Sequence, residues 1–139
     1  MEGFDFVHRE TVRFRDVDSM GHVNNAVFLT YIEEARIAYL LPFGAEVTNM
    51  ILARVEIDYR SPLSYGEALD VTVRCASMRR SSFVLEFKAT ERAAGRLVAE
   101  ARKVLVHYDY GASRSLALPP ELRDLLKAQD PDVKEEATP

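Results

Sequence analysis

The chain has 139 residues, 47% of them hydrophobic and 29% charged, with a formal net charge of −4. This is enough for one soluble globular domain with a sizeable core and too little for two ordinary ones. Dispersed basic residues disfavour a nucleic-acid surface. No run reaches the apolar length of a membrane helix, so no membrane span is predicted.

The first ten residues are acidic and lack a signal-peptide core, which predicts a cytoplasmic location. Cys75 is the only cysteine, which excludes an internal disulfide and fits a reducing compartment. His8, His22 and His107 are scattered without metal-ligand spacing, so no metal site is predicted.

Residues 4–14 read as a first strand, with Phe6, His8, Glu10, Val12 and Phe14 on one side. A polar turn follows, RDVDSMG, in which Gly21 permits a tight bend. Asn24 or Asn25 is placed to cap a helix. Val27, Phe28, Tyr31, Ile32, Ala35, Ala38 and Tyr39 then recur as one helical face, with Glu33, Glu34 and Arg36 largely off it. The helix stops near Leu40, before Pro42 and Gly44. Residues 45–50 are a connection.

Residues 51–59 form a second strand, and Ser61-Pro62 and Tyr65-Gly66 mark the loop after it. Alternating segments at 68–76, 82–91 and 96–108 predict three more strands, with a turn at Ala94-Gly95. In the last strand the apolar phase shifts from Leu97, Ala99 and Ala101 to Val104, Val106 and Tyr108, which predicts a β-bulge near Arg102 and Lys103. Pro119 and Pro120 open a short amphipathic helix with Leu122, Leu125 and Leu126. The reading is one domain over residues 1–128 and a polar, disordered tail over 129–139.

The order strand, long helix, four strands predicts an α+β fold: an antiparallel sheet of about five strands wrapped around one central helix, the only element able to cover its apolar face. Such a sheet leaves an open edge that a second copy would satisfy, so self-association as a dimer or tetramer is expected.

The segment Asp16-x-Asp18-x-x-Gly21-x-Val23, with Tyr31 in the following helix, resembles the hotdog-fold acyl-CoA thioesterases of the 4-hydroxybenzoyl-CoA thioesterase family. The similarity spans roughly residues 5–110. Arg79-Arg80-Ser81-Ser82-Phe83 is a second match, at a place where the family carries basic residues before Ser-Phe. The resemblance implies a catalytic role for Asp18, carbonyl polarisation by the Asn25 backbone amide, and coenzyme A phosphate binding by Arg79 and Arg80. Ser81 stands where a third basic residue can occur, and Arg60 is then expected to share that role. Gly21 and His22 complete the expected substrate-binding set.

His22 to Asn25 also resembles acyl-ACP thioesterases, but Met20 stands where those carry an asparagine, so their Asp-Asn-His network is not formed.

Thioester hydrolysis needs an activated water or a carboxylate nucleophile, and a donor for the oxyanion that forms on the carbonyl. Asp18 can supply the first as base or nucleophile, and a helix N-terminus can supply the second, without metal or organic cofactor. The plainer reading of Asp18 is a cap for its own turn. Asp16 is read as structural, and His22 either orients substrate or bonds the turn. The expected function is an acyl-CoA thioesterase, with a non-catalytic acyl-thioester binder and an acyl-ACP thioesterase as alternatives. A hydratase of the Asp-x-Asn-Pro-x-His type is disfavoured, because Asp18 and His22 are one residue too close and the Asn and Pro are missing.

Overall fold

The computed structural model describes residues 6–47 and 50–136. In chain order the elements are β1 (Phe6–Thr11), α1 (Asn25–Leu40), β2 (Met50–Tyr59), β3 (Ala68–Met78), β4 (Ser82–Glu91), β5 (Arg96–Asp109), β6 (Arg114–Ser115), α2 (Pro120–Gln129) and β7 (Lys134–Glu135). The five long strands form one antiparallel sheet in the order β1-β3-β4-β5-β2, curled against α1. This is the predicted architecture.

Alternation builds the inner face. Leu69, Val71, Val73 and Cys75 of β3 and Phe83, Leu85, Phe87 and Ala89 of β4 are all buried. Against them lie Phe28, Tyr31, Ile32, Ala35 and Tyr39, the helical face read from the sequence. Asn24 is the cap: its side-chain oxygen accepts from the Ala26 amide at 2.9 Å. At the other end the helix passes into a 3₁₀ stretch, Leu41–Val47, where Gly44 turns the chain with φ of 67°.

β1 is shorter than expected. Phe14 leaves the strand for a 3₁₀ turn (Phe14–Asp16) and is exposed, while Phe4 lies outside the described residues. The inner side of β1 carries Phe6, His8 and Glu10. Phe6 packs edge-on to Tyr39, and Glu10 faces the helix at Glu34. The Glu10 carboxyl beside it, then burial, pushes the Glu34 carboxyl above its ordinary range. Glu34 is therefore turned toward the sheet rather than to solvent.

The predicted bulge in β5 is misplaced. Ala99, Ala101, Lys103 and Leu105 keep one phase and are all buried. The apparent shift arises because a lysine takes an inner position, leaving Val104 and Val106 on the outer face. Lys103 lies 6.0 Å from the Phe87 ring centre and donates to Glu33 at 2.8 Å. Glu33 also accepts from Arg36 at 2.7 Å. The Arg36 bond, opposed by burial and aided by Lys103, holds the Glu33 carboxyl down at about 2. The real irregularities fall where one residue goes unpaired: Ala53 in β2, Ala76 in β3 and Val98 in β5.

The chain beyond Gln129, expected as a polar tail, packs onto the domain over residues 130–136. Asp130 is buried, accepting from the Tyr39 hydroxyl and, at 2.9 Å, from the Cys75 amide. β7 then pairs in parallel with Ser77 and Met78, taking the place beside β3 that β1 leaves free. A polar composition concealed this tail because its anchor is a single carboxylate rather than an apolar stripe.

β2 is the exception to the burial pattern. It lies at the sheet edge beyond β5, and Leu52, Val55 and Tyr59 are exposed along it. A ten-residue edge with apolar side chains and open backbone groups is a template for pairing.

Candidate active site

The turn between β1 and α1 is built on Asp16. Its carboxylate accepts from the Arg13 amide at 3.0 Å and from the Tyr31 hydroxyl at 2.6 Å, and its carbonyl accepts from the Asn24 amide at 3.0 Å. Burial alone would raise the Asp16 carboxyl. The Tyr31 and Arg13 hydrogen bonds and the nearby Arg13 and Arg15 charges outweigh it and leave the group below its ordinary range. The Tyr31 hydroxyl is raised in turn, by burial and by this bond. Asp16 thus joins the loop to the helix, the structural role expected for it.

Beyond Asp16 the chain reverses. Val17 bridges to Val23, the Asp18 amide donates to the His22 carbonyl at 2.8 Å, and the Gly21 amide donates to the Asp18 carbonyl at 3.0 Å. Gly21 has φ of 84°, the left-handed conformation that glycine adopts at least cost. The loop is held from its other side by the Leu63 carbonyl, which accepts from Val23, and by a bridge between His22 and Ser64.

Asp18 stands exposed on this turn. One oxygen, Oδ1, accepts from the Met20 amide at 2.8 Å and from the His22 amide at 3.4 Å; Oδ2 has no hydrogen bond among the described residues. One oxygen of the carboxylate thus caps the turn, as the plainer reading expects, and the other is left open.

Asp18, His22 and Asn25 line one cleft of about 420 Å³, together with Phe28, Tyr59 and Arg60. Asn25 is the first residue of α1, where backbone N–H groups have no helical acceptor and favour negative charge. The cleft thus joins a carboxylate, a donor terminus and an aromatic wall. Tyr59 was not singled out from the sequence. Its hydroxyl donates to the Asn25 carbonyl at 2.9 Å and its ring packs edge-on to Phe28, 5.6 Å between centres. The signal available was its place at the end of a strand, directly before Arg60-Ser61-Pro62.

The expected phosphate-binding residues are divided. Arg60 lines the cleft but is held by Glu100 at 3.1 Å and Asp58 at 3.6 Å. Arg79 pairs with Glu136 at 3.2 Å and borders a separate hollow of about 290 Å³ with Arg54 and Arg102. The Arg80 and Ser81 carbonyls accept from Leu118 and His107. Within one chain, Arg79, Arg80 and Ser81 are not brought to Asp18. Cys75 is buried, and burial followed by the Asp130 charge pushes its thiol up to about 12, so it is no nucleophile.

Comparison with known proteins places the chain in a family. The pattern of the Thioesterase-like superfamily matches residues 12–126. The long-chain acyl-CoA thioesterase FadM of Escherichia coli is 30% identical over 122 residues, covering 84% of this chain and 92% of FadM. A 1,4-dihydroxy-2-naphthoyl-CoA hydrolase of Synechococcus elongatus is 24% identical over 132 residues, covering 88% and 96%. A thioesterase of Thermus thermophilus, solved with coenzyme A and zinc, superposes with a TM-score of 0.85 at 39% identity, covering 94% and 98%.

Proposed function

This chain belongs to the thioesterase-like superfamily and is a thioester hydrolase, and from that premise we propose that its substrate is an acyl-CoA, cleaved at the Asp18 cleft. The observation that carries the reading is the presence of Asp18 and the N-terminus of α1 in one cleft. Asp18 takes a proton from water as the water oxygen bonds to the thioester carbon. The Asn25 amide and the positive helix end stabilise the oxyanion. Collapse breaks the carbon–sulfur bond, and the coenzyme A sulfur leaves with the proton returned by Asp18. In the alternative course the carboxylate itself attacks the thioester carbon, the carbon–sulfur bond breaks with release of the coenzyme A thiolate, and water then opens the resulting anhydride to the free acid and the Asp18 carboxylate. Either course draws its base and its donor from this chain, so the step takes no metal or organic cofactor.

His22 and Gly21 shape the cleft mouth, the first by lining it and the second by allowing its turn. The aromatic wall of Phe28 and Tyr59 supplies apolar surface for an acyl group. Arg79, Arg80 and Ser81 lie outside the cleft of their own chain, so a phosphate role for them requires a second copy. The open edge of β2 supports that assembly, since antiparallel pairing of two such edges would continue the sheet. No helix among the described residues is long and apolar enough to cross a membrane, and the single buried thiol fits a cytoplasmic setting.

The experiment is thiol release from short, long and aromatic acyl-CoAs by wild type and Asp18→Asn. Turnover that collapses in the variant supports the assignment. Equal turnover in both removes Asp18 from the chemistry. Binding of coenzyme A without turnover favours the non-catalytic binder, in which Asp18 only caps its turn, and release from acyl-ACP alone transfers the substrate class.

A further inference from the structure

β1 and α1 meet along a seam that is apolar at one end and ionisable at the other. His8 and Glu10 are two residues apart on β1 and so share its inner side. Glu34 comes from α1. One ligand-type atom from each of the three lies within 4.8 Å of the other two. None of them lines the Asp18 cleft.

Glu10 is the centre of the group and is 8% exposed. Its Oε1 lies 3.0 Å from His8 Nε2, but its Oε2 is buried without any hydrogen-bond partner. The Arg13 guanidinium stands 3.9 Å from that oxygen, beyond hydrogen-bond reach. A buried carboxylate oxygen with no donor is costly, and such atoms are rare in folded proteins. A second carboxylate, Glu34, offers an oxygen to the same cluster within 4.8 Å.

We propose that His8, Glu10 and Glu34 form a binding site for one divalent transition-metal ion of the zinc class, clamping the edge strand β1 to α1. One imidazole and two carboxylates suit such an ion and leave a position for water. Two carboxylates and a neutral imidazole also balance its charge. Ligand bonds of about 2.0–2.2 Å put donors roughly 3–3.5 Å apart, so the triad closes by about an ångström when the ion enters. His8 and Glu34 are half-buried, which lets both close on Glu10 and lets the ion reach the seam. Sequence spacing conceals this site because its third ligand lies beyond a turn and about two and a half helical turns further along the chain. The proposal does not depend on the thioesterase reading.

The test uses the full chain freed of metal by chelator dialysis, then titrated with Co²⁺ by visible absorption and with Zn²⁺ by calorimetry. The expected result is one ion per chain, with affinity reduced by about tenfold or more in Glu34→Gln and in His8→Asn. Both variants should keep the wild-type circular dichroism spectrum without metal, and Asp18→Asn should bind as wild type. His8 is partly exposed, so His8→Asn serves even if Glu34→Gln fails to fold. No stoichiometric uptake by wild type overturns the proposal and leaves a shared proton as the link between the two glutamates. Uptake that both variants leave unchanged overturns it equally.

Discussion

Two tyrosines eight residues apart on α1 each donate to a buried aspartate, and the two pairs govern opposite ends of the molecule. Tyr31 holds Asp16, whose other side-chain bond is to the Arg13 amide three residues away. Tyr39 holds Asp130, which comes from the far end of the chain and also accepts from the Cys75 amide of β3. Both aspartates are 7% exposed. The first pair secures a turn that carries Asp18 exposed; the second joins α1, β3 and the chain after α2. The difference teaches that a buried carboxylate accepting from a tyrosine and a backbone amide is here a structural tie at either end. Asp18 differs in being exposed, with its carboxylate lining the cleft.

The sharpest way to break this comparison is Asp18→Asn. The amide oxygen can still accept from Met20 and His22, so the turn should survive while the base is lost. A fall in kcat of about 10²–10⁴ is expected with an unchanged melting temperature. If Asp18→Asn keeps full turnover while a change at Asp16 abolishes it, the division between structural and chemical carboxylates is reversed.

The next largest effect belongs to the distal pair. Asp130→Ala leaves the Tyr39 hydroxyl and the Cys75 amide buried without an acceptor, and should destabilise by about 2–3 kcal/mol in urea unfolding. Its kcat per folded molecule should match wild type. A loss of turnover beyond the unfolded fraction would tie the two ends of α1 together functionally.

Tyr31→Phe should cost about 1 kcal/mol, since Asp16 keeps the Arg13 amide, and should lower kcat by less than Asp18→Asn. It also carries a pH signature. Asp16 is held below its ordinary range, so its contribution is present above the unfolded carboxylate pKa and is lost as pH falls through the folded value. Removing the Tyr31 bond should shrink that acid-side loss, read as a flatter dependence of unfolding free energy on pH.

The smallest effect is expected at Glu33, half-buried on the same helix. Its carboxyl is held at about 2 against an ordinary 4.5, so the ion pairs with Arg36 and Lys103 add stability above about pH 4.5 that fades toward pH 2. The side chain is 43% exposed, so screening limits its worth. Glu33→Gln should lose under about 1 kcal/mol at pH 7, with the gap to wild type closing as the pH falls to 2.

Much of this was legible in the sequence, because periodicity reports burial. The helical face from Phe28 to Tyr39, the Asn24 cap and the alternation of β3 and β4 each follow from one residue facing one core. The cleft was legible in part: Asp18, His22, Asn25 and Arg60 do share it. The rest was hidden for particular reasons. Lys103 breaks the inner stripe of β5 because its partner, Glu33, comes from another element, and a pattern along one strand does not show that. Glu34 sits off the apolar face of α1 yet is turned to β1. Tyr59 enters the site through a bond to a backbone carbonyl, which no residue pattern marks. The last ordered stretch is anchored by one aspartate in a polar run, where composition argues for solvent.

The Asp130 anchor has a consequence for vectorial synthesis. A domain emerging from the ribosome folds as a unit from its N-terminal side, and here β1, α1 and all five long strands are made before residue 130 appears. Until then the Tyr39 hydroxyl and the Cys75 amide await the acceptor that completes them, and the edge of β3 at Ser77 and Met78 has no β7 beside it. Until residues 130–136 emerge, the nascent chain therefore exposes a stretch of β3 in addition to the β1 and β2 edges. Closing it falls to residues 130–136, which act as a latch on a sheet already assembled.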